Sequence, residues 1–406
     1  MRRIALVHYS APPVVGGVES VLAHHARLMA DAGHSVQIIA GRGAQFDARI
    51  PFVGVPLADS RHPDVLAAKA ELDGGQVSPR FAELVSALTG MLREALAGFD
   101  VVIAHNVCSL HKNLALTAAL RDYRDQAKAC RLILWHHDLA WTTPRYRAEL
   151  YDGYPWDLIR RGWPGVQHVA VSELRRSELA ELMGLSPQAI AVVPSGVDAA
   201  AFLKLEPQTR EFVARLGLLE AGPLLLLPVR ITPRKNIELA LHPWVTLLAT
   251  FPKAALVVSG PPGPHNPANA AYFARLKALR TELGLTGRAH FLAELTDEYL
   301  PDEVIADLYR LADALFMPSR EEGFGIPIIE AGLARLPVFC ADISPLRALG
   351  GDQATYFSPD ADPRAVAGLI VDRLTGDRNH RLAVRVRHEY LWDQVYARKI
   401  APLLDA

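Results

Sequence analysis

The chain holds only three cysteines in 406 residues, Cys108, Cys130 and Cys340, with no CxxC pair and no histidine at zinc spacing. That excludes a disulfide framework and gives no sign of a structural metal, so buried reduced thiols are expected. It also lacks an excess of either charge, with 43 Lys plus Arg against 44 Asp plus Glu. A surface-wide field able to hold nucleic acid by counterion release is excluded, and an anionic ligand has to be held locally. No run approaches the roughly 18 apolar residues of a membrane-spanning helix, and the apolar run before His8 is too short for a signal-peptide core. A cytoplasmic location is expected, with peripheral membrane contact left open. The spaced GxGxxG of a dinucleotide site is missing too, as is an acidic ribose partner about twenty residues on, which argues against a nicotinamide-dependent oxidoreductase.

What the sequence does have is rhythm. IALVHYS, VESVLAHHARLMADAG and SVQIIAG read as strand, helix ended by Gly33, and strand. The pattern continues through the helix-like FAELVSALTGMLREALAG, the strand VVIAHN, the helix-like LALTAALRDYRDQAKA and the strands RLILWHHD, HVAVS and AIAVVPSGVD. From Trp141 to Pro164 it lapses into a segment rich in aromatics, arginine and proline. After a polar stretch, PLLLLPVR, NIELALHPWVTLLATFP and AALVVSG restart the same strand-helix-strand unit. Alternation of this kind predicts two tandem doubly wound parallel sheets, with boundaries at 1–198 and 199–380 and a closing amphipathic helix over 381–406 that packs back toward the first domain.

In such sheets ligands bind beyond the carboxyl ends of the strands, which directs attention to four loops. SAPPVVGGVES places Gly16 and Gly17 before a helix whose first amides can face a phosphate or an acceptor, although a bare tight turn fits equally. PVRITPRKN puts Arg230 and Lys235 after a strand, a pair suited to a diphosphate and, read alone, equally consistent with solvated surface charge. SREEGFGIPIIEA sets Glu322 beside Gly323 and Gly325, with Glu330 in the helix that follows. Carboxylates accept hydrogen bonds from vicinal hydroxyls, so this pair suits a sugar ligand. LWHHDLAW ends a strand in His136, His137 and Asp138; adjacent strand residues point to opposite faces, which argues against a metal held by both histidines.

The four loops, in this order and in two tandem units, resemble glycosyltransferase family 4, the retaining enzymes with two Rossmann-like domains known as the GT-B fold. The specific mark is a Glu, seven residues, Glu motif, matched by Glu322 and Glu330 within EEGFGIPIIE. The GGVE turn, His137 with Asp138, Gly196 and Asp198 in PSGVD, and Arg230 with Lys235 support it. Ser195 stands where the family has asparagine.

The resemblance implies an interdomain cleft whose closure excludes water, with a UDP- or GDP-hexose on the second domain and a hydroxyl acceptor on the first. Arg230 and Lys235 would neutralise the donor diphosphate without a metal or other cofactor. Glu322 and the amides of Gly323, Phe324, Gly325 and Ile326 would hold the transferred sugar, and Glu330 the ribose. His137 would touch the sugar and Gly17 the diphosphate. The acceptor would meet Gly16, Asn106, Trp141, Arg145 and Tyr146, and the base would be read through loops such as SGPPGPH and FLAEL. Soluble acceptors, a sugar phosphate or glycerate among them, and lipid or cell-wall glycans both remain open, as does a non-catalytic nucleotide-sugar sensor.

Overall fold

A computed structural model describes every residue except Lys128, Pro264, His265, Asp297 and Ala406. The chain divides into two compact units: unit 1, Met1–Gly196 with Trp392–Ala406, and unit 2, Val197–Leu391. The sequence reading places its divisions at 198/199 and 380/381, and its last segment ends on Ala406, outside the described residues.

Unit 1 carries a seven-stranded parallel sheet built from β1 (Arg3–Ser10), β2 (Ser35–Arg42), β3 (Phe52–Gly54), β4 (Val101–His105), β5 (Arg131–His136), β6 (Gln167–Ala170) and β7 (Ile190–Val192). The strand order is β3-β2-β1-β4-β5-β6-β7. Because side chains alternate along a strand, β1 feeds two cores at once. Ile4 and Leu6 join Val21, Leu22, Ala26 and Met29 of helix α1 (Gly17–Asp31) on one face. Ala5, Val7 and Tyr9 join α2 (Pro63–Asp73), α3 (Pro79–Ala95) and α4 (Leu114–Gln126) on the other. Burial on both faces explains why these strands read as continuous apolar runs. The helix expected to continue to residue 129 stops at Gln126.

Unit 2 repeats the plan with β8 (Leu224–Leu227), β9 (Ala255–Val258), β10 (Ala289–Phe291), β11 (Ala314–Met317), β12 (Val338–Ala341) and β13 (Thr355–Phe357), all parallel and ordered β10-β9-β8-β11-β12-β13. The single helix expected in NIELALHPWVTLLATFP is broken into Ile237–Leu241 and Trp244–Thr250. Pro243 supplies no N–H and its ring clashes with the preceding turn, so the helix ends before it.

The closing segment is likewise split. A helix Arg378–Glu389 belongs to unit 2, and Trp392–Asp405 belongs to unit 1, where Trp392, Val395, Ile400 and Leu404 bury themselves in the core beneath α1. The five residues Tyr396–Ile400 form a π turn within it. Gly196 is small because Trp392 lies against it; a Cβ there would come within 2.6 Å of the indole. Asp198 caps the short helix Ala199–Phe202 by accepting from the Ala201 amide at 2.9 Å. The PSGVD segment is thus accounted for by packing and capping.

Both strand orders reverse at one place, between β1 and β4 in unit 1 and between β8 and β11 in unit 2. That switch point is where two neighbouring strand-end loops diverge and leave a crevice.

Candidate functional site

In unit 2 the crevice is a cavity of about 230 Å³ lined by Arg230 after β8, Ser259, Gly260 and Pro261 after β9, Tyr299 and Leu300, and Ile326, Pro327 and Glu330. Gly260 permits this closeness, since a Cβ would lie 2.3 Å from the Val229 carbonyl oxygen. Glu330 is fixed by the Tyr309 hydroxyl, which donates to its Oε2 at 2.6 Å. Burial, then the carboxylate beside it, pushes the Tyr309 pKa up, so Tyr309 remains a donor. Of the two loops expected to read a base, the first contributes Ser259, Gly260 and Pro261, while Pro264 and His265 lie outside the described residues; the second, residues 291–295, does not line the cavity.

Beside this cavity, Lys235 and Glu322 meet. The Lys235 ammonium donates to Glu322 Oε1 at 2.5 Å, with both side chains more than nine-tenths buried. Desolvation lowers the Lys235 pKa against the opposing pull of Glu322. Asn236, which the sequence reading left unweighed, makes the meeting possible. It adopts a left-handed backbone (φ 53°), and its amide donates to the carbonyls of Pro318 at 3.0 Å and Pro359 at 2.9 Å. It therefore ties the loop after β8 to the loop after β11; asparagine tolerates that backbone better than most residues, which was the available signal.

Gly325 caps the helix Ile326–Leu333 with φ 105°, and a Cβ there would press on Leu346 at 2.7 Å. Among the described residues nothing lies within 4 Å of a Cβ placed on Gly323, and Phe324 and Ile326 are more than half exposed. Of the residues expected to hold the donor, Arg230, Ile326 and Glu330 share the cavity, while Lys235 and Glu322 form the adjoining ion pair.

In unit 1 the switch point holds a cavity of about 540 Å³. Gly16, Gly17 and Asn106 line it, together with His8, Ser10, Glu19 and Asp138, to which the sequence assigns no binding role. Glu19 folds back over Gly16, where a Cβ would meet its carboxylate at 2.1 Å, and accepts from Ser10 Oγ at 2.6 Å. Among the described residues nothing lies within 4 Å of a Cβ placed on Gly17, so that turn faces open space. Asn106, in the left-handed region at φ 56°, uses Oδ1 to accept from the amides of His137 and Asp138, each at 3.0 Å. It shapes the loop that carries both.

His137 is half-buried and does not line this cavity; its ring lies 5.9 Å from that of His105, and burial lowers its pKa to about 4. His136 instead stacks on His168, with Nε2 and Nδ1 3.0 Å apart. The two neighbours diverge as a strand requires.

The remaining acceptor expectations fall elsewhere. The guanidinium groups of Arg147 and Arg160 lie over the ring of Trp141 at 5.1 and 4.4 Å, Tyr146 meets His111 edge-on at 5.0 Å, and Arg145 lies 4.7 Å over Tyr146. Trp141 and Tyr146 pack against the core of α2 to α4 rather than lining the cavity. Aromatics and arginines here are spent on each other, a pairing that composition alone does not reveal.

Among the described residues one group with metal-ligand chemistry converges, Asp73, His111 and Glu149, with ligand atoms within 4.8 Å. Lys69 already lies 2.5 Å from Asp73 and 3.0 Å from Glu149, and His111 Nε2 lies 2.6 Å from Glu149, so the cluster carries its own cation.

Two Rossmann-like units, each with a cavity at its switch point, and a Glu322/Glu330 pair on the second, define a class of sugar-transferring enzymes. Residues 15–201 match the family model for Glycosyltransferase Family 4 and residues 208–387 that for Glycosyl transferases group 1, and the chain belongs to this family of glycosyltransferases with the GT-B fold. It is 27% identical to the MMP alpha-(1->4)-mannosyltransferase of Mycolicibacterium hassiacum, across 98% of this chain and 97% of that one. It is 33% identical to the D-inositol 3-phosphate glycosyltransferase of Frankia alni, across 51% of this chain and 49% of that one. The chain spans about half the length of the D-inositol 3-phosphate glycosyltransferases it matches. Among solved structures it is similar to sucrose-phosphate synthase from Thermosynechococcus elongatus, at 18% identity over 100% of this chain and 98% of that one, with a TM-score of 0.39.

Proposed function

We propose that the protein transfers a hexose, with retention and without a metal, from a UDP- or GDP-linked donor to a hydroxyl acceptor. The observation that carries this is the convergence of Arg230 and Glu330 on one strand-end cavity of unit 2, with the Lys235–Glu322 pair beside it. Glu330, aimed by Tyr309, suits the vicinal hydroxyls of a ribose. Arg230 and Lys235 suit a diphosphate, and the name of the full-length relative supports a hexose as the group transferred.

The chemistry follows from charge. As the bond between the anomeric carbon and the diphosphate oxygen breaks, negative charge grows on the β-phosphate; Arg230 and Lys235 stabilise that charge more than they stabilise the bound donor, and that difference is catalysis. The acceptor oxygen bonds to the anomeric carbon on the face the diphosphate leaves, and its proton passes to the departing phosphate. Double displacement through Glu322 is disfavoured because a carboxylate held by a buried ammonium is a poor nucleophile.

The test is a panel of UDP-, GDP- and ADP-sugars in EDTA, scored by thermal shift and by slow donor hydrolysis. Stabilisation by one nucleotide with metal-free hydrolysis is expected. No response to any of them overturns the reading.

A further inference from the structure

Resting on the reading that unit 1 receives the acceptor, we infer that its 540 Å³ cavity is built for a polyhydroxylated molecule carrying a phosphate or carboxylate, with Arg61 and Lys112 as the groups that read the anion. The volume falls within the range of small-ligand sites. The lining then divides by chemistry into hydrogen-bond acceptors and cations.

The acceptors are His8, Glu19 and Asp138. His8 Nδ1 lies 2.7 Å from the carbonyl oxygen of His105, which can only accept, so Nδ1 carries the proton and Nε2 presents a lone pair. That lone pair stands 3.8 Å from Glu19 Oε1, an acceptor already used by Ser10. Two acceptors facing each other without a proton between them are satisfied by a ligand hydroxyl donating to either. Asp138, at 3.4 Å from the Asn106 amide, adds a third acceptor on the same lining.

The cations are Arg42, Arg61, Lys69 and Lys112. Arg42 is paired with Asp59 at 3.2 Å, and Lys69 with Asp73 and Glu149. Arg61 and Lys112 are exposed, border the cavity, and form no ion pair among the described residues. A neutral sugar would leave both charges to water. A phosphate or carboxylate on the same molecule whose hydroxyls meet His8 and Glu19 would take both, and Arg61 adds a planar fork suited to either group.

The experiment is calorimetric titration of the nucleotide-free protein with paired ligands: hexose 6-phosphates, inositol phosphates, glycerol phosphates and hexuronates, each against its neutral parent. Wild-type protein is expected to bind at least one anionic member ten-fold or more tightly than its parent. The phosphate and carboxylate arms identify which group is read. In R61S/K112S the preference should fall to within two-fold, while the thermal shift given by nucleotide is unchanged because that cavity lies wholly in unit 2. No ten-fold preference in any pair, or a preference that survives the double substitution, overturns the inference. A missing nucleotide shift in wild type sinks the donor reading instead, so the two failures are told apart.

Discussion

Lys235 and Glu322 neutralise each other at 2.5 Å. Each belongs to a different strand-end loop, and each is more than nine-tenths buried. Removing one partner leaves the other as an uncompensated buried charge, which costs about 3 kcal/mol or more. Lys235→Met and Glu322→Gln are each expected to lower stability in urea unfolding as well as to cut transfer by about 100-fold or more. The double variant should be destabilised by less than the sum, yet remain as inactive as the worse single one. Additive destabilisation would show that the pair is not coupled.

Glu330→Ala should weaken nucleotide binding by about ten-fold, the worth of one or two charge-assisted hydrogen bonds. Tyr309→Phe removes the 2.6 Å bond that aims Glu330 and leaves the carboxylate in place, so a smaller loss of about three-fold is expected. Titration with UDP and GDP measures both. Equal affinity in Glu330→Ala and wild type would take Glu330 out of the ribose role.

Gly325→Ala is expected to destabilise the protein by about 1–3 kcal/mol, since alanine at φ 105° is strained and its methyl would press on Leu346. The damage centres on the start of the helix that carries Glu330. A thermal melt with and without nucleotide should therefore show a loss of ligand-induced stabilisation together with the lower melting temperature.

Unit 1 should be acid-sensitive. The rings of His25, His105, His136, His137 and His168 contact one another or those of Trp135 and Trp392, and among the described residues neither ring nitrogen of His105 has a hydrogen-bond partner. Burial lowers the pKa of His25 to about 3 and of His137 and His168 to about 4, and holds those of His105 and His136 well below the ordinary 6.5. The acid groups nearby are Glu19, 3.8 Å from His8, and Asp138, whose attraction on His137 is smaller than the effect of burial. Because these rings stay neutral when folded and charge when unfolded, their contribution is complete above pH 6.5. It falls as pH drops toward about 4, by on the order of 1 kcal/mol per unit per histidine. Five of the six tryptophans lie in unit 1, so urea unfolding followed by tryptophan fluorescence between pH 7 and 4.5 reads it directly. A flat stability over that range would refute the account.

The tandem parallel sheets were legible because fully buried strands leave unbroken runs such as LLLL at β8, and the motif loops were legible because strand ends are where sequence switches from apolar to Gly and charge. Less legible was what depends on tertiary partners. The short strands β3 and β13 carry too few residues to show a period. His8 and Glu19 read as strand and helix residues, and only folding turns Glu19 back over Gly16 and sets His8 Nε2 on a cavity wall. Trp141 and Tyr146 read as a sugar platform because stacking chemistry is the same whether the partner is a ligand or the arginines that cover them here.

The return of Trp392–Asp405 into the core beneath α1 sets an order of events during synthesis. Unit 2 is one uninterrupted stretch, so all of it has been synthesised before residue 392 is added. Unit 1, although begun first, cannot close its core around Trp392 and Ile400 until those residues emerge. The amino-terminal unit is therefore the last to finish, and a released chain truncated after Leu391 should hold a protease-resistant unit 2 beside a unit 1 that is still readily cut.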